Sequence, residues 1–146
     1  MKNFKQLVSL FVVIIISYSW SPHVLASDYL TEICFEFKHL EGSMAGQSGI
    51  VQLSLFDMGA GNYKLTSVVG NNLVQGTAIL KGNKLYISTT DTGWFGNDGA
   101  YIVTNYCELD TQTLSGTFRG LDTEATLGSQ ASTAYVAGTI KAVSCP

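Results

Sequence analysis

Apolar and polar residues alternate along this chain in short runs, and the period is two residues rather than 3.6. Ile33, Phe35 and Phe37 alternate with Cys34, Glu36 and Lys38, which predicts a strand with one buried face. Comparable runs cover Ile50 to Phe56, Tyr63 to Val69, Val74 to Leu80, Leu85 to Thr90, Tyr101 to Leu109, Leu114 to Leu121 and Thr133 to Val143, making eight strands. Turn-forming residues separate them, among them Asp57 to Gly61, Lys81-Gly82-Asn83 and Asp110-Thr111-Gln112. From Ser27 onward no stretch of ten residues carries a convincing helical period. A crossover helix therefore has no place, and the sheet is expected to be antiparallel and connected in sequence order.

A tripeptide recurs in mid-strand: Gln75-Gly76-Thr77, Ser115-Gly116-Thr117 and Ala137-Gly138-Thr139. Glycine weakens a strand and is placed where a sheet bends sharply or another group comes close. Three such glycines on the inward parity suit a sheet that curls shut, so the expected fold is an all-β, eight-stranded, up-and-down antiparallel barrel. A two-sheet β-sandwich uses the same alternating strands and is the alternative. The inward parity collects Ile33, Phe35, Phe37, Val51, Leu53, Leu55, Tyr63, Leu65, Leu85, Ile87, Leu114, Phe118, Val136 and Ile140, an interior that reads as almost wholly apolar. Connections after odd strands are mostly long, at Glu41 to Gly49, Asp91 to Gly99 and Asp122 to Ala131, which predicts one closed end and one mouth. In topology, and in the Gly-Thr-Phe run at Gly116 to Phe118, the chain resembles the lipocalin and streptavidin class of small barrels. The resemblance implies that architecture, and it transfers no binding motif.

The first 26 residues read differently. Lys2 and Lys5 precede an apolar run from Leu7 to Ile16, and Val24-Leu25-Ala26 resembles a signal-peptidase site, so residues 1–26 are expected to be a secretory signal peptide and 27–146 one exported domain. The apolar run is too short for a spanning helix, and no membrane anchor is expected after cleavage. Removing the leader leaves six basic against eleven acidic residues, with no basic stripe, which argues against a nucleic-acid partner. Secretion or a periplasmic location implies an oxidising compartment, in which Cys34, Cys107 and Cys145 supply one bridge and one odd thiol. In a closed barrel the first strand pairs with the eighth, bringing Cys34 to Cys145, whereas Cys107 is separated from the tail by strand seven. The expected bridge is therefore Cys34 to Cys145.

Candidate chemistry is sparse. Beyond the leader, His39 is the sole histidine and Arg119 the sole arginine, so no hydrolytic triad is visible and His39 is expected to be exposed at a strand end. The cysteines lack metal-ligand spacing, and Asp91, Asn97 and Asp98 lack the alternation and closing glutamate of a calcium loop, so no metal and no cofactor are expected. The informative pair is Trp94-Phe95, two large rings expected in a glycine-flanked loop, where they either plug the barrel or cover a ligand. The leading expectation is a non-enzymatic barrel binding a small apolar or aromatic molecule through Trp94, Phe95, Phe35, Phe37, Tyr63 and Phe118. The alternative is a protein-interaction module, of inhibitor or adhesion type, with a solid core; an exposed aromatic pair over a filled interior would favour it.

Overall fold

A computed structural model describes residues 28–69, 72–96 and 99–146; the expected leader and the pair Asn97 and Asp98 lie outside them. The chain forms β1 (Asp28–Gly42), β2 (Ser48–Asp57), β3 (Asn62–Val69), β4 (Asn72–Lys81), β5 (Lys84–Phe95), β6 (Gly99–Asp110), β7 (Ser115–Thr126) and β8 (Ser132–Val143). Each strand pairs antiparallel with the next, and β8 returns to pair with β1, closing a barrel in sequence order. The sandwich alternative is thereby set aside.

The recurrent glycines explain how eight strands close tightly. A Cβ at Gly116 would lie 1.8 Å from the Glu108 carbonyl oxygen, one at Gly76 2.2 Å from that of Ser88, and one at Gly138 2.0 Å from that of Lys38. The wall coils so sharply there that a neighbouring strand's backbone occupies the side-chain position, which only glycine permits.

Several strands run further than the apolar period indicates. β5 continues through Asp91 and Gly93 to Phe95, and β7 through Asp122 to Thr126. Asp91, Gly93 and Asp122 take inward positions in these extensions and Thr92 and Thr123 outward ones, so the hydrophobic alternation fades while the backbone pairing persists. The connections expected to be long contract to residues 43–47, 96–98 and 127–131. Leu114 is no strand residue either. It has φ 56° in the turn before β7, where its N–H donates to the Asp110 carbonyl at 2.8 Å. The Asp110 carboxylate accepts from the backbone N–H groups of Gln112 and Thr113, an Asx turn that reverses the chain.

The core fills the half of the barrel nearer the closed end. Phe35, Leu53, Leu55, Tyr63, Leu65, Ala78, Ile87, Cys107, Leu109, Phe118 and Ile140 form one buried cluster, with Phe37, Val51 and Leu85 packed against it. At the seam, Cys34 lies opposite Val143, and the tail carries Cys145 back to form the Cys34–Cys145 disulfide with a Cα separation of 5.1 Å. This bridge is consistent with an oxidising extracellular environment. Cys107 remains free and buried, and burial pushes its thiol pKa up to about 12.

Candidate functional site

The aromatic residues expected to hold a ligand are split between different places. Phe35, Tyr63 and Phe118 are members of the packed core. Tyr63 opens β3 at the closed end, where burial, with the Asp57 carboxylate adding to it, raises its phenol to about 12. Phe37 covers Gly49 with its ring and meets His39 edge-on at 5.3 Å. Trp94 and Phe95 stand at the opposite end, on β5 where it turns into β6, rather than in a free loop. Pairing of Trp94 with Ala100 and of Phe95 with Gly99 holds the corner. Trp94 is 67% exposed and Phe95 40%. Phe95 stacks on Tyr101 with ring centroids 6.5 Å apart and lies across Gly99, whose missing side chain makes room for it.

The mouth half of the interior holds buried polar residues beside fully buried Val136, where the strand pattern predicts an almost wholly apolar lining. His39 is 5% exposed and Asp122 4%. His39 shares the parity of Phe35 and Phe37 and so points inward, with its ring edge-on to Phe118 at 4.9 Å; it is not the exposed strand-end residue expected. A bulge at Leu40 then shifts the register of β1 against β8 by one residue, so that His39 pairs with Gly138 and Glu41 with Ala137. Ser43 Oγ donates to Asp122 Oδ2 at 3.4 Å, and the Tyr101 hydroxyl donates to Asp91 Oδ1 at 3.4 Å. Three buried atoms in this half have no hydrogen-bond partner among the described residues: His39 Nδ1, Asn105 Oδ1 and Asp122 Oδ1. Their positions were not legible in the sequence, where Asp91 and Asp122 fell in segments expected to be loops.

Burial lowers the His39 pKa below its ordinary 6.5, an effect that the Asp122 carboxylate opposes. Burial also raises the Asp91 carboxyl, opposed by its bond from Tyr101. The signs of the two contributions differ. Between the folded and unfolded pKa of His39 the unfolded chain binds more protons, so stability falls as pH drops through this window below 6.5. Asp91 takes up its proton in the fold before the unfolded chain does, so further acidification relieves the cost of burying its charge. Thermal unfolding followed against pH is expected to show a falling midpoint just below 6.5, and His39→Phe is expected to flatten that fall. An unchanged slope in the variant would assign the acid sensitivity to another group.

Ser43 bonds the Asp122 carboxylate rather than an imidazole that could accept its proton. Among the described residues no three His, Cys, Asp or Glu side chains gather as a metal site.

An open groove of about 470 Å³ lies on the outside of the wall. Its sides include Leu40, Glu41, Tyr106, Arg119 and Tyr135, and Thr117, Ala137 and Thr139 are also part of its lining. The Arg119 guanidinium sits 5.5 Å from the Tyr106 ring centroid, a cation–π contact. Among the described residues the one ion pair is Lys84 with Glu108. No protein-family model, curated protein or solved structure matches this chain.

Proposed function

We propose that the mature domain is a secreted or periplasmic, non-enzymatic interaction module: a solid barrel that meets a protein partner with the rim of its mouth. The observation carrying this reading is the exposed Trp94-Phe95 corner at the mouth, standing apart from the core in which Phe35, Tyr63 and Phe118 are already packed. Leu127, in the β7–β8 connection at the same end, adds a third exposed apolar side chain. Large exposed aromatics on a well-paired hairpin lose little conformational freedom on binding, which is why such residues anchor protein interfaces. One observation favours the small-molecule reading instead. The unpartnered His39, Asn105 and Asp122 atoms would suit a ligand bearing N–H or O–H donors, rather than a purely apolar one.

The test compares the wild-type domain with the double variant Trp94→Ser, Phe95→Ser, both immobilised and exposed to envelope and medium proteins of the producing organism. The expected result is a protein retained by the wild type and lost by a variant whose thermal midpoint is unchanged. In parallel, fatty acids, aromatic metabolites and short sugars are titrated while Trp94 fluorescence and backbone amide spectra are followed. A small molecule that shifts the Asn105 and Asp122 amides would replace this reading, and so would retention unaffected by the variant.

A further inference from the structure

We propose that a second copy of this chain docks on the outer wall formed by β6, β7, β8 and β1, with a two-fold axis running along β8. The charge pattern selects this arrangement. Ala137 on β8 pairs with Arg119 on β7 to one side and with Glu41 on β1 to the other. The three form one row across the sheet, so adjacent-strand spacing puts Arg119 and Glu41 about 10 Å apart with a small residue between them. No ion pair joins them among the described residues. Packing two identical faces against each other requires a two-fold axis in the interface plane, and the axis direction decides which charges meet. An axis across the strands sets Arg119 over Arg119. An axis along β8 exchanges the two sides of the row, setting Arg119 of each copy over Glu41 of the other, twice per dimer.

The surroundings suit the same contact. Tyr135, Thr139 and Lys141 lie on one outward face of β8 and so meet their own copies near the axis, the lysines about 13 Å along the strand from Ala137, while exposed Leu40, Tyr106 and Leu121 surround the charged row with apolar surface. The groove at Ala137 gives the facing side chains somewhere to enter, which a plain convex barrel wall would not. Tyr106 already holds the Arg119 guanidinium by its face, leaving the N–H fork free to bond a carboxylate. The inference does not depend on what the rims bind.

Sedimentation velocity on the mature, disulfide-intact domain, from low micromolar to several hundred micromolar, is the test. A concentration-dependent dimer is expected. Arg119→Glu and Glu41→Arg should each weaken it by about tenfold or more, because each places like charges face to face. The double reversal, Arg119→Glu with Glu41→Arg, should restore association to within a few-fold of wild type. Circular dichroism and the thermal midpoint of each variant establish that the barrel is intact. A wild-type monomer across the range, a dimer indifferent to either single reversal, or a double variant as dissociated as the singles would each overturn the proposal.

Discussion

Replacing Cys34 and Cys145 together by alanine is expected to lower the unfolding free energy by about 4 kcal/mol, read from urea denaturation of the purified domain. The bridge spans 111 residues, nearly the whole of the barrel. Its removal releases a long loop's worth of entropy in the unfolded state, and it frees the one seam of the barrel that is not joined by a turn. Alanine rather than serine is the informative substitution, since Cys34 is buried and a hydroxyl there would add a separate desolvation cost. Cys107 should not take over as a partner. Its buried thiol is almost entirely protonated at neutral pH and is a poor nucleophile in exchange. Titration with a thiol reagent should therefore find one cysteine, reactive only after unfolding. A double-alanine variant with the wild-type denaturation midpoint would show that pairing of β1 with β8 holds the seam without the bridge.

Gly116→Ala is expected to cost about 3 kcal/mol, the upper end of the usual range for overpacking. The obstacle is the carbonyl oxygen of Glu108, 1.8 Å from the new carbon, and it belongs to a backbone paired on both sides. A side chain in that position could rotate away, but a ladder carbonyl cannot move without breaking its hydrogen bonds. Gly46→Ala provides the contrast: nothing lies within 4 Å of its Cβ, and the expected cost is only that of a positive φ of 88°. Comparable losses at the two positions would mean that the wall relaxes more readily than its paired strands imply.

The mid-strand glycines were the most legible sign of closure in the sequence. Gly76, Gly116 and Gly138 each contradict local strand preference, and the structure supplies the reason in a carbonyl oxygen standing where Cβ would be. The seam bridge was legible for a related reason. Once sequential pairing and closure are assumed, the first and eighth strands must meet, and only Cys145 can reach Cys34. The candidate site was much less legible. Trp94-Phe95 stood out by size alone, and its place on a paired β5–β6 corner was hidden because Asp91, Gly93 and Gly99 interrupt the apolar period while the hydrogen-bond ladder continues. His39 was misjudged because a single polar residue near a strand end gives no sign of what faces it.

By itself the sequence determined eight strands, their antiparallel order, the sharply coiled wall and the partner of Cys34. These follow from period-two patterning, from turn residues and from the steric demand for glycine, all of which act within a few residues or through sequential neighbours. Only the tertiary structure decided that Phe35, Tyr63 and Phe118 belong to one packed core, that His39, Asn105 and Asp122 share the mouth half, and that Arg119 and Glu41 flank Ala137 on one outer row. Those groupings join side chains from strands far apart in the chain. They depend on register and bulges, such as the one at Leu40 that sets Glu41 against Ala137, and register is a property of paired strands rather than of any one of them.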